Sequence, residues 1–284
     1  MTRRSLALPV LLPLAPVLTE HRKLAGTPRV CAGHLLALAA VLLVGSSIAA
    51  EAIAGPAPLS VVATLIKWTP LIAQGFMINI GISIAAMGLG TAMGLLLGVC
   101  LVSLLPPVRW NAWLVTQFFR NAPWLVLLFY CMLLMPFDLR LGPVVIPLPD
   151  WLKATLGLAV AVMANMAEIV RGAIQSVPSG QWEASEALAF SRTRTLWRII
   201  LPQCIKRMLP PWMNLYALLL VSTPLCSIVG VNEALTLTAD ALVAESRQEL
   251  LLPMYSYLLL WFFLACYPIA RATIALERRF SIAA

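Results

Sequence analysis

The sequence predicts an all-α integral membrane protein of about six transmembrane helices, and three observations carry that expectation. Hydrophobic residues make up 61% of the chain and charged residues only 11%, whereas soluble domains carry roughly 25% charged residues. Mean hydropathy is +0.90. The apolar residues gather into runs of the length that crosses a bilayer, about 20 residues each, and the basic residues fall between those runs. A net charge of +8 could otherwise point to nucleic acid, but a nucleic-acid binder collects its basic residues on a soluble face. No nucleic-acid partner is expected. The 284 residues leave room for several spans and no separate large soluble domain.

Residues 1–32 read as a cytoplasmic N-terminal tail. Arg3 and Arg4 precede a 13-residue apolar run, Leu6 to Leu18, that is interrupted by Pro9, Pro13 and Pro16, so the run is too short and too proline-rich to span. No cleavage motif follows it directly, as a signal peptide requires. Residues 33–284 are then one transmembrane domain. Its expected spans are His34 to Ala54, Gly75 to Leu105, Trp113 to Pro136, Ala154 to Val177, Trp212 to Val231 and Pro253 to Leu276. An even number of spans puts both termini on one side. Of the 20 lysines and arginines, 16 lie in the two termini and in the second and fourth connections. Basic residues accumulate on the cytoplasmic face, so those segments are expected there, with Asp138 to Trp151 outside.

Gly90, Gly94 and Gly98 recur every four residues on the second span and form a small-residue stripe along which another helix can approach closely. The six cysteines contain no CxxC pair and fall mostly inside apolar runs, the setting of buried free thiols rather than of zinc or a disulfide framework.

The fourth connection, Pro178 to Pro211, is the longest internal cytoplasmic loop. Its first part, through Ala189, is rich in helix formers, and its second is basic and amphipathic, so two short helices joined near Ala189 to Arg192 are expected. By periodicity alone this is an interfacial amphipathic hairpin with arginines on lipid headgroups.

Spacing adds a further reading. Glu183-Ala184-Ser185, then Ala189, then Ile199, Leu201 and Pro202 stand at the offsets of the cytoplasmic loop motif of ATP-binding-cassette (ABC) importer permeases, E-A-A, three residues, Gly, nine residues, I-x-L-P. The stretch resembles that family and, more narrowly, its polar amino acid branch of histidine and glutamine permeases. Arg120-Asn121-Ala122-Pro123, Glu168 to Ile174, Gly180 to Ala184, Pro202-Gln203 and Leu209 to Asn214 resemble further segments of that branch in the same order. The family-like core is 75–276. The sequence departs from the family at Ala189, which stands where relatives have a glycine, and at Val221-Ser222-Thr223-Pro224-Leu225, where a lysine and a serine common in relatives are missing.

The resemblance implies a MetI-like permease fold and an E-A-A-type coupling hairpin, 178–211, that seats on a separate ATPase. The residues it singles out for coupling are Gly180, Gln181, Glu183, Ala184, Ser185, Ala187, Leu188 and Ala189, with Trp182, Ala184, Ala187 and Leu188 expected on the buried side. Glu183 would either pair with an ATPase cation or hold the loop's own arginines. The implied partners are cytoplasmic ABC ATPase subunits, a second permease chain, an extracytoplasmic solute-binding protein and membrane lipid.

Within the spans, Glu168 and Arg171 stand three apart on one helical face and suit an intrahelical ion pair or a substrate contact. Asn79, Asn165, Asn214 and Thr223 are uncharged polar groups that could line a path or bond helices together. No G-x-x-x-x-G-K-[ST] phosphate loop occurs, so energy is expected from another chain. No HExxH, G-x-S-x-G or DxDxDG element occurs, and His21 and His34 have no ligand partners, so neither catalysis nor a cofactor nor a metal is expected. An ion-coupled secondary transporter is the alternative, but Glu168 is the only acid inside the five expected spans from Gly75 onward and the halves do not repeat.

Overall fold

The structure, a computed structural model, describes residues 40–46, 60–141 and 144–280. The tail 1–32 and most of the first expected span lie outside the described residues, although 40–46 are helical. The chain divides between Val41 and Leu42, and every element below belongs to the unit Leu42–Ala284.

Helix α1, Val61–Leu101, starts at Ser60, whose hydroxyl caps the Ala63 amide. Its 41 residues rise about 61 Å, twice the roughly 30 Å of a hydrocarbon core, so the span expected from Gly75 continues well beyond the bilayer. The run expected as one span from Trp113 to Pro136 is instead two helices, α2 (Pro106–Asn121) and α3 (Trp124–Leu134), bent by 105°. Pro123 disfavours helical geometry at the residue before it, and Ala122 is extended, with ψ 135°. The apolar residues on both sides of the break outweigh Arg120 and Asn121 beside it, which is why composition alone reads a single span.

A two-stranded antiparallel hairpin follows, β1 (Asp138–Leu141) paired with β2 (Val144–Pro147) in the register Asp138 to Pro147. Helix α4, Asp150–Gln175, then packs along α1. A Cβ on Gly90 would lie 2.6 Å from Val162 Cβ, one on Gly94 2.6 Å from Met166 Cβ and one on Gly98 2.5 Å from Val170 Cβ. The glycine stripe is therefore the seam of the α1–α4 pair.

Helix α5, Ser179–Ala187, leads through a tight turn into α6, Arg192–Val229. The second short helix expected in the loop is thus the start of one long helix that continues into the fifth span. It carries a π turn at Leu196–Ile200, where the Leu201 amide reaches back to the Leu196 carbonyl, directly before Pro202. A proline ring collides with the carbonyl four residues back, and widening the helix by one residue relieves the collision. The end of α6 tightens to 3₁₀ geometry over Thr223–Val229. Helices α7 (Ala234–Glu245) and α8 (Leu251–Phe280) complete the chain.

Two apolar clusters hold the unit together. One joins α1, α4 and α6 around Leu158, Val162, Ile200 and Leu219, and the other joins the first half of α1 to α7 and α8 around Ile72, Phe76, Ala241 and Met254. Among the described residues, four helices are long and apolar enough to span, or five if α2 and α3 form one broken span.

Candidate coupling hairpin and buried polar sites

Helix α5 places one side toward the molecule and leaves the other uncovered. Ser185 is buried and donates its hydroxyl to the Gln181 carbonyl at 2.7 Å. Trp182 packs against the main core, with the Arg192 guanidinium 4.9 Å from its ring centre. Gly180, Gln181, Glu183, Ala184, Ala187 and Leu188 are exposed, Leu188 at 72%. The expected docking side is corrected in one residue. Trp182 faces the protein's own core, and the free stripe is Gly180, Glu183, Ala184, Ala187 and Leu188. Those positions follow the three-and-four spacing of a single helical face. Glu183 forms no ion pair with the loop's arginines.

The turn after α5 is a Schellman closure: the Phe190 amide bonds the Ser185 carbonyl at 3.0 Å and the Ala189 amide bonds the Glu186 carbonyl at 2.9 Å. That closure needs a left-handed residue, and Ala189 supplies it at φ +56°. The geometry of the family's glycine is kept although the glycine is not. Three further bonds brace the hairpin, two of them to the end of α4 and one between α6 and α5. Arg207 donates from Nη1 to the carbonyl and hydroxyl of Ser176, at the end of α4, and Gln203 Nε2 approaches Gln181 Oε1 at 3.5 Å.

The Glu168–Arg171 pair forms as the spacing predicts. Arg171 donates to Glu168 Oε2 from Nε at 2.9 Å and from Nη2 at 2.7 Å, and its Nη1 donates to Gln175 at 2.9 Å. Glu168 Oε1 faces α2, with Gln117 Nε2 at 3.4 Å and Arg120 Nη1 at 3.5 Å. The carboxylate therefore ties α4 to α2 as well as stapling its own helix.

Asn79 and Thr223 meet in a buried polar knot. Asn79 Nδ2 donates to Thr223 Oγ1 at 2.9 Å and to Glu233 Oε2 at 2.8 Å, while its Oδ1 accepts from the Ala234 amide at 3.0 Å. Glu233 is fully buried and also caps α7, accepting the Leu235 and Thr236 amides at 3.0 and 3.1 Å. Glu233 is thus a second acid in the interior, one that the sequence placed in an outer loop. The alternation of hydropathy carries no sign of it, and glutamate is not among the residues that mark an N-cap in a sequence. The other two polar candidates do not join the knot. Asn165 bonds its own helix at the Ala161 carbonyl, 2.8 Å away, and Asn214 is exposed on α6.

Sequence reasoning also missed Lys153, which is fully buried at the start of α4, with Nζ 3.9 Å from the Phe137 ring centre and 3.6 Å from Asp150 Oδ1. Near the N-terminus of α1, Lys67 Nζ and Trp68 Nε1 both donate to Glu245 Oε1, at 2.6 and 2.8 Å, and hold that carboxyl below the usual carboxylate range. Among the described residues no group of His, Cys, Asp or Glu is placed to hold a metal ion.

Comparison with known proteins now has a geometry to stand on. Residues 90–281 match the family described as "Binding-protein-dependent transport system inner membrane component". The chain is 30% identical over 200 residues to the inner membrane amino-acid ABC transporter permease protein YhdY of Escherichia coli (strain K12), a match that covers 70% of this chain and 54%, about half, of that protein. It is 28% identical over 211 residues to the L-cystine transport system permease protein TcyB of Bacillus subtilis (strain 168), covering 74% of this chain and 86% of that one. In the solved structure titled "Crystal structure of an amino acid ABC transporter with histidines", one chain superposes with a TM-score of 0.65 at 24% identity, over 75% of this chain and 96% of that chain. None of these likenesses supports an ion-coupled transporter. The chain belongs to the family of binding-protein-dependent transport system inner membrane components, and it is a multi-pass permease subunit of the ABC importer kind.

Proposed function

We propose that this permease forms half of a translocation path for amino acids or related small polar solutes, paired with a second permease chain and driven by ABC ATPase subunits that seat on α5. A solute-binding protein delivers the solute from outside. The observation that carries the coupling role is the uncovered stripe Gly180, Glu183, Ala184, Ala187 and Leu188, a small and largely apolar helix face left exposed among the described residues. Such a face suits a helix-in-groove contact. The hairpin is bonded at Ser176 to α4 and runs without a break into α6, so a displacement of α5 moves both helices.

The concentration of basic residues at the hairpin end supports a cytoplasmic position for that end, for both termini and for the ATPase. Residues 1–32 are then a cytoplasmic tail and 33–284 the transmembrane domain. The relatives' printed names, an amino-acid permease and an L-cystine permease, support an amino-acid substrate.

Placing lysine at Ala187 tests the coupling role. Ala187 is exposed, so the variant inserts and folds as the parent does, whereas an ammonium pressed into a groove costs several kcal/mol unless it finds a partner. Copurification of the ATPase should fall sharply with Ala187→Lys. Undiminished copurification together with undiminished uptake would remove α5 from the coupling role.

A further inference from the structure

Three adjoining cavities of about 460, 340 and 350 Å³ line the end of the molecule that carries the hairpin. Arg109 lines the first and second, Arg192 lines the second and third, and Arg171 lines the first. Among the described residues the one acid in these linings is Glu168, in the first, and both of its oxygens are already engaged by Arg171, Arg120 and Gln117. Among the described residues Arg109 and Arg192 pair with no carboxylate, and the Arg192 guanidinium lies over the Trp182 ring. The result is a groove with unneutralised positive charge.

Its rim is apolar and aromatic. Trp110, Trp113 and Trp197 are 64%, 46% and 57% exposed, and Leu104 and Leu105 are exposed at 63% and 62%. Tryptophan at such positions sits at the level of lipid headgroups, with its ring in the apolar layer and its N–H in the wet one. A basic pocket between transmembrane helices on the cytoplasmic side binds anionic headgroups. A soluble anion has no use for the apolar rim, whereas a phospholipid places its phosphate on the arginines and its chains along the leucines.

We propose that this groove, from Arg171 past Arg109 to Arg192, holds the headgroup of an anionic phospholipid. The proposal rests on the permease reading only in calling this the cytoplasmic end. Arg109 belongs to α2 and Arg192 to the hairpin, so one headgroup bridges the two and steadies the base of α5.

The test measures lipid retention by the purified full chain in detergent, using native mass spectrometry with phosphatidylglycerol and phosphatidylcholine of identical acyl chains. No ATPase or substrate is involved, so the outcome is independent of the transport reading. The wild-type chain should retain phosphatidylglycerol in preference to phosphatidylcholine. Arg109→Gln and Arg192→Gln should each weaken that retention about fivefold, the effect of one basic side chain near an anionic surface. Arg109→Lys with Arg192→Lys should keep most of it, which separates lost charge from lost fold, and Lys206→Gln should leave it unchanged. Equal retention of the two lipids, or full retention by the double glutamine variant, would overturn the proposal. So would displacement of the lipid by millimolar inorganic phosphate, which would make the groove a site for free anions.

Discussion

At the scale of single residues, Ala189 carries a local strain. An L-residue in the left-handed region costs roughly 1–2 kcal/mol because its Cβ crowds the following carbonyl, and the Schellman closure after α5 requires that geometry at φ +56°. Ala189→Gly should therefore stabilise the purified protein by up to about 1 kcal/mol, part of the gain being lost to the freer unfolded chain, and a thermal unfolding series would register it as a higher midpoint. Gly94 presents the opposite case. Any Cβ there meets Met166 Cβ at 2.6 Å and the Met163 carbonyl oxygen at 2.7 Å, so Gly94→Val should lower stability by about 1–3 kcal/mol through overpacking, while Gly88→Val, with open space around it, should not. Both residues were legible in the sequence, the alanine as a glycine position and the glycine as one of a stripe. Glu233 and Lys153 were not. A buried charge is indistinguishable from a loop charge until the groups that satisfy it, Asn79 and two amides for Glu233 and the Phe137 ring for Lys153, are brought together by tertiary structure.

At the scale of elements, the knot of Asn79, Thr223 and Glu233 joins the middle of α1 to the end of α6 and the start of α7. Asn79→Ala leaves the Ala234 amide without its side-chain partner and takes from Glu233 Oε2 one of its two donors, the Leu235 amide remaining, and a buried group left unpaired costs about 1–3 kcal/mol. The variant should lose that much in thermal unfolding, and Asn79→Ala combined with Glu233→Gln should lose less than the sum of the two single changes, because the pair acts as one unit. The hairpin was legible as two helices because its propensities change sharply near Ala189. What periodicity could not give is which side of α5 the molecule covers: Trp182 is as apolar as a docking residue, and only the cavity beside Arg192 and the core behind it claim it. The bend between α2 and α3 escaped for a related reason. A proline in a mostly apolar run marks a place where a helix can break, and 105° is set by what the two halves pack against.

At the scale of the whole molecule, composition fixes the membrane class, the spacing of glycines fixes which helices can touch closely, and the loop offsets point to the importer family to which residues 90–281 belong. On the proposed reading the energy comes from a separate ATPase that seats on α5. Closure of an ATPase dimer on α5 would shift α4 and α6 together, because the hairpin is bonded to one and continuous with the other. Coupling between sites is reciprocal, so a loaded binding protein at the outer face should raise ATP hydrolysis inside. The most direct test is uptake by proteoliposomes that contain this chain with its ATPase and binding protein. Uptake that requires ATP, survives a protonophore and fails with Ala187→Lys is the expected result; uptake that persists without nucleotide and collapses with the protonophore would contradict the account.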